Sequence, residues 1–337
     1  MARPETLQGP FKQHMLLPTL IGTEHWLNHA KLPQRLAVGY SGGADSTALL
    51  LALAAKGLDV VAWHVDHGWH AGSGAVAGEL EIRAASWGIE FHQARVQPRS
   101  DKNREAEARK ARFEQFSLWA AEQRITTLCL AQQRDDQAET VCMRLLQGAG
   151  PSGCAGMRER RMRGDLHIMR PLLHIGRAEL IRVLDAAGID WHEDASNSDT
   201  TLLRNHIRHD LFPAVREKGI NPADLFCRWQ VQAQRLSARL NQLADKVPLA
   251  LQQGIAVVDW EAWRSSPQAV RALLLQRMSA SLFGEGTVLG RRHILLAEAW
   301  RRQGGRQGID LSRCRLFRSR ESLHLAPATV SLPHRLR

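Results

Sequence analysis

Ser41, Gly42, Gly43, Ala44, Asp45 and Ser46 stand between a short apolar run and a helical pattern, where backbone can wrap an anion. In "VGYSGGADSTALL" (38–50) the glycine pair permits close approach, the two serines add hydroxyl donors, and the following helix aims its N-terminus at the same spot. The loop has neither the Gly-Lys-Ser/Thr of a Walker A motif nor GxGxxG. Its only charge, Asp45, repels a phosphate unless a divalent cation lies between them. The spacing therefore predicts a nucleotide–Mg²⁺ complex held mainly by amides, with Asp45 as the metal ligand. A Gly-Gly turn alone would favour a plain strand-to-helix connection.

A second group lies in "RDDQAET" (134–140), which reads as a helix start with Asp135 placed to cap it and acids at its positive end. Asp136 and Glu139 are three apart and share a face, so two carboxylates could together hold a cationic group. A solvated, well-capped helix start is the competing reading. Asn103, Glu105, Arg109 and Arg112 open another helix, where an arginine could neutralise a phosphate or simply decorate a charged surface. Asp66 and His67 end a strand. Glycines 148, 150, 153 and 156 with "RERRMR" (158–163) make either an RNA contact or a solvated loop.

These residues need elements to position them. "LAVGY" (36–40), "LDVVAWHVD" (58–66), "IEFHQARV" (89–96), "TTLCLAQ" (126–132) and "LHIMRPLL" (166–173) read as strands, with helical stretches between the first four. That alternation predicts an α/β fold: a doubly wound, parallel, five-stranded sheet whose ligands bind beyond the carboxyl ends of its strands. After Pro213 the pattern changes to helices over 222–247 and 267–302, with "GIAVVDW" between them and a hairpin-like tail. We expect a catalytic domain over 1–215 and a smaller, mainly helical domain over 216–337.

The charge supports that division. Residues 1–215 hold 25 Lys+Arg against 25 Asp+Glu, whereas 216–337 hold 20 against 9, which is the whole net charge of +11. A one-ended basic excess is the footprint of a polyanion partner, nucleic acid being the common one. The five scattered cysteines form no CxxC pair, which fits reduced thiols and argues against a zinc or iron–sulfur site. No apolar run reaches the ~20 residues of a membrane span, and the first thirty residues lack a signal-peptide pattern. The expectation is a cytoplasmic protein with no membrane partner.

Ser-Gly-Gly-x-Asp-Ser after a first strand resembles the signature loop of the PP-loop ATP pyrophosphatases, which split ATP between the α and β phosphates. Within that class, "HVDHGWH" (64–70), "NREAEARKARF" (103–113), "AQQRDDQAETVCMRLLQGAGPSGCAGM" (131–157) and "RPLL" (170–173) followed by "WHEDASNSDTTLLRNHIRHDLFP" (191–213) resemble the tRNA(Ile)-lysidine synthetases. The likeness is close over about 35–215 and loose beyond. It implies adenylation, with ATP and Mg²⁺, of the wobble cytidine of a CAU-anticodon tRNA(Ile), then displacement of AMP by free L-lysine. It implies a 216–337 region that binds the tRNA, and leaves oligomeric state open, a homodimer being one option.

Carried over residue by residue, the resemblance implies roles in lysine handling for Asp136 and Glu139. Arg112 and Arg204 join the catalytic set with Asp45, while Asn205 and Arg208 read as structural. This chain departs from the family at Gln133, where a histidine with a proton-transfer role is frequent; His67 is a candidate to cover it. Phe113 stands where Tyr is usual, Gln147 replaces a frequent arginine, and ending at Arg337 gives the look of a short form. A tRNA thiolase, a small-molecule amide synthetase and a non-catalytic tRNA-binding protein are the alternatives.

Overall fold

A computed structural model of the chain describes residues 32–68, 73–96, 104–192, 203–284, 289–305 and 307–329. Asn103, the side chain of Glu105, the Glu-Asp-x-Ser-Asn element within 193–202 and the N-terminal thirty-one residues lie outside them. The chain divides into two compact units, Met1–Val231 and Gln232–Arg337.

In the first unit β1 (Arg35–Gly39), α1 (Ala44–Ala55), β2 (Asp59–Asp66), α2 (Ser73–Ser86), β3 (Glu90–Arg95), α3 (Arg104–Gln123) and β4 (Thr127–Cys129) alternate as expected. After them come α4 (Arg134–Leu146), the short α5 (Pro151–Cys154), β5 (Arg160–Arg163), β6 (Leu166–Met169) and α6 (Arg177–Ala186). The sheet order is β3-β2-β1-β4-β6-β5, and all five expected strands run parallel, with pairings such as Val38↔Ala62 and Val38↔Cys129. The sheet has one strand more than the sequence led us to expect. β5 pairs antiparallel with β6 at the edge, from a run read as loop.

Both faces are covered, as in a doubly wound sheet. Leu36, Val38, Val60 and Ala62 pack with α1, α2 and α6 through Leu49, Leu53, Leu80 and Leu184. On the other face Ala37, Val61, Trp63, Leu166 and Ile168 meet Phe113, Phe116 and Trp119 of α3. α1 is buried almost all round, which accounts for its unbroken "ALLLALAA".

The unit closes with α7 (Leu203–His206), a π-helical turn (Ile207–Leu211) and α8 (Phe212–Glu217), then α9 (Pro222–Ala244), which runs through the unit boundary. Ile207, Phe212 and Ala223 pack on Ala138 and Cys142 of α4, and the Phe212 and Phe226 rings stack at 5.5 Å.

The second unit combines α10 (Trp260–Ser265), α11 (Gln268–Phe283) and α12 (Arg291–Arg302) with a five-stranded antiparallel sheet. Its order is β7 (Leu249–Gln252), β8 (Ile255–Asp259), β11 (Ser322–Pro327), β10 (Cys314–Arg318) and β9 (Ile309–Leu311). The tail expected as a hairpin supplies β9 to β11, and "GIAVVDW" contributes β8. Trp263, Leu274, Met278, Leu316 and Leu325 form the core. Within it the Arg271 guanidinium and the Glu298 carboxylate pair in a fork, at 2.6 and 2.7 Å.

Candidate active site

The loops after β1, β2, β4 and β6 all leave the sheet at its carboxyl end. After β1, Gly42 takes φ +83, and a Cβ there would meet Leu80 Cδ2 at 2.4 Å, so glycine is required by backbone and packing alike. Gly43 has ordinary extended backbone (φ −69, ψ 163), and a Cβ on it would meet nothing closer than 3.7 Å. The fold does not need a glycine at that position.

Ser46 Oγ donates to the Gly43 carbonyl (3.0 Å) and accepts from the Ser41 amide (3.2 Å), and Thr47 Oγ1 donates to the Gly42 carbonyl (3.2 Å). These bonds occupy the carbonyls of Gly42 and Gly43. The leading N–H groups of α1 have no partner within the helix and face the loop.

Asp45 sits in the first turn of α1. Its Oδ2 accepts from Arg177 at 3.3 Å, while its Oδ1 is buried with no hydrogen-bond partner. Burial pushes its carboxyl up to about 6, with Arg177 pulling it back and Asp136 adding to the rise. A half-buried carboxylate with one orphaned, buried oxygen beside this loop suits a hard divalent cation. Mg²⁺ usually takes only one or two protein carboxylates and completes its shell with phosphates and water.

The second carboxylate pair lies within electrostatic reach of Asp45, since Asp136, Arg208 and Asp135 all act on its charge. Asp136 and Glu139 share one face of α4, as their spacing requires. Arg204 donates to Asp136 Oδ1 (2.7 Å) and Glu139 Oε2 (2.9 Å). Arg208 donates to both Glu139 oxygens (2.6 and 2.9 Å) and to Asp136 Oδ1 (3.2 Å). The buried Glu139 and half-buried Asp136 carboxylates and two guanidiniums thus neutralise one another. Burial raises the Asp136 carboxyl, and Arg204 works against that rise.

Two sequence readings change here. Arg208, read as structural, contacts the same carboxylates as Arg204. Asp135 does not cap α4; Gln133 does, its side chain accepting from the Asp135 amide while Asp136 Oδ2 accepts from the Gln133 amide (3.1 Å), a capping box. Asp135 instead accepts from the Arg177 amide at the start of α6 (3.0 Å) and pairs with Arg216 (3.6 Å).

Gln133 is 1% exposed. Its side chain is turned into the helix end. His67 lies beside Asp66 and Arg112, and burial, with Arg112 adding, pushes its imidazole down to about 4. A group so far below neutral pH is a weak proton acceptor. Arg109 lies over the Phe113 ring at 5.3 Å.

Sequence reasoning did not pick out Arg177 or Arg170. Arg177 reaches Asp45 across 132 residues, a link no local pattern carries. Arg170 had a signal in "RPLL", but only as part of a motif.

The PP-loop domain family model matches residues 21–215. The tRNA(Ile)-lysidine synthase of Xanthomonas campestris is 33% identical over 310 residues, 89% of this chain and 70% of that protein. That of Chlamydia felis is 34% identical over 238 residues, 65% of this chain and 75% of that protein. The Burkholderia mallei enzyme is 40% identical over 215 residues, and the match spans less than half of its length, 44%. Among solved structures, the U34-tRNA thiolase NcsA from Methanococcus maripaludis with its [4Fe-4S] cluster superposes with a TM-score of 0.52. It is 16% identical and covers 66% of this chain and 80% of that one, which bears on fold alone.

Proposed function

The chain belongs to the PP-loop family and to its tRNA(Ile)-lysidine synthase branch, and on that basis we propose that it is an ATP-dependent ligase that attaches L-lysine to the wobble cytidine of a CAU-anticodon tRNA(Ile). The observation that carries the reading is the meeting of the Asp45 loop with the Asp136–Glu139–Arg204–Arg208 group in a chain with those relatives. In this reading residues 1–215 perform the chemistry and the basic 216–337 region holds the tRNA. No helix among the described residues is long and apolar enough to cross a membrane. The reading places the enzyme in the cytoplasm, where its tRNA is.

The reaction has two displacements. Cytosine O2 attacks the α-phosphorus of ATP and pyrophosphate leaves; the lysine ε-amine then attacks carbon 2 and AMP leaves. Loop amides 42–46 and the α1 N-terminus grip the phosphates, and Ser41 and Ser46 fix the loop. Asp45 would hold Mg²⁺, which when bound would offset phosphate charge. Arg177, already on Asp45, and Arg112 supply positive charge to the phosphate oxygens. Asp136 and Glu139 receive the lysine ammonium by exchanging one of their guanidinium bonds for it, and Arg204 keeps both carboxylates aligned.

The test is incubation with ATP, radiolabelled lysine and a CAU-anticodon tRNA(Ile) transcript. Lysidine at the wobble position is expected. Binding of that tRNA with no lysine incorporated would overturn the proposal, and a sulfur-dependent mass gain would point to the thiolase reaction instead. Asp45→Asn should lower lysine-independent pyrophosphate release by at least ~100-fold, as loss of a group acting on transition-state charge does. Its metal-free thermal midpoint should hold or rise, because a buried charge has been removed.

A further inference from the structure

We infer that the β5 edge of the catalytic sheet is a binding surface for RNA backbone phosphate, with the buried Arg170 at its floor; this rests on the RNA-modifying reading above. Arg170 directly follows β6 at the carboxyl end of the sheet. It is 4% exposed, yet no carboxylate among the described residues pairs with it. Its Nε donates to Gln132 Oε1 and its Nη1 to the Arg158 carbonyl, both at 2.9 Å and both neutral acceptors. Burial, with Arg109 and Arg161 adding, pulls this arginine down to about 10. Burying a guanidinium among like charges is costly unless an anion completes the set.

The register explains the gathering. Arg161 pairs with Ile168 and Arg163 with Leu166, so both arginines project from the sheet face on which Ile168 and Leu166 meet α3. Arg170, two residues beyond Ile168, has the same parity. Arg163 lies over the Phe113 ring at 4.5 Å, on the ring that Arg109 also covers. Arg161 and Arg163, like Arg170, pair with no carboxylate among the described residues.

Edge strands often carry positive side chains merely to discourage strand pairing. That accounts for exposed arginines on β5, but not for a buried one beside them. Gln132, which holds Arg170, precedes the Gln133 cap of α4, so the surface adjoins the helix that carries Asp136 and Glu139. A strand whose base enters the cleft would run its phosphates past this edge.

The test uses the full chain, the CAU transcript and a salt series. Arg161→Ala/Arg163→Ala should weaken RNA binding about 10-fold or more and reduce the slope of log K against log salt by about 1.4, roughly 0.7 per single-strand phosphate contact. Arg170→Met should reduce it by about 0.7, and Arg170→Lys should retain most of the slope. KM for ATP in pyrophosphate release should stay within two-fold. If Arg170→Met does not fold, the surface pair decides. An unchanged slope in the pair overturns the inference while leaving a lysine-incorporating wild type intact. A raised KM for ATP with unchanged RNA affinity also overturns it, because the anion is then the nucleotide's. A wild type that binds no RNA overturns both this inference and the function it rests on.

Discussion

Adding a methyl group to Gly42 would drive it into Leu80, whereas the same group on Gly43 would make only ordinary van der Waals contacts, with Ser41 Oγ at 3.7 Å. Gly42→Ala should therefore destabilise the protein by about 1–3 kcal/mol, combining a strained φ with a clash. Gly43→Ala should leave stability unchanged or raise it by about 0.4–1 kcal/mol, while raising KM for ATP at least ten-fold. Urea titration and pyrophosphate release separate the two, and equal effects would contradict the ligand role of Gly43. A pH effect belongs to His67. Its folded value of about 4 is below the ordinary 6.5, so the unfolded chain takes up its proton first as pH falls. Its contribution to stability is complete above pH 6.5 and is lost as pH falls toward 4. After allowance for solvent screening the loss should be about 1 kcal/mol. His67→Gln should flatten the urea midpoint across that window.

Elements decide what a residue can do, and α4 is the clearest case. Gln133 stands where a proton-transferring histidine is frequent, but as the N-cap it is committed to the helix backbone. Gln133→Ala should cost about 1 kcal/mol, typical of a lost cap, with pyrophosphate release changed less than three-fold. A large loss of that activity with unchanged stability would return a chemical role to the position. Asp45, Asp136 and Glu139 could be put forward from the sequence because each stands in a local pattern, whereas Arg204 entered only through the family resemblance. The five parallel strands were visible because their apolar runs are bounded by polar breaks. β5 was hidden, since "RRMR" has four exposed residues and no apolar face, and it is a strand only through pairing with β6. Arg208 was hidden for another reason. A π-helical turn at 207–211, with the Phe212 amide bonded to the Ile207 carbonyl, is not written in residue type.

At the scale of the molecule, the charge is unevenly held: Gln232–Arg337 carries 17 Lys+Arg against 7 Asp+Glu, or +10 of the total +11. Arg291 and Arg292 at the start of α12, with Arg313 and Arg320 around β10, are exposed. Converting these four to Ala should leave KM for ATP unchanged and lower the salt slope of tRNA binding by about 3, if each meets one phosphate. A mobility-shift series in rising salt would measure it. The sheet of the first unit also sets an order of events during synthesis. β1 lies between β2, its near neighbour in sequence, and β4, whose Leu128 pairs with Ala37 some ninety residues later. A growing chain can zip β1 to β2, and β2 to β3, early. The binding cleft cannot exist until β4 and β6 have left the ribosome, and its carboxylates stay uncompensated until Arg204 and Arg208 follow. Nucleotide cannot rescue a partly made chain; everything shorter than about 210 residues must rely on its sheet alone.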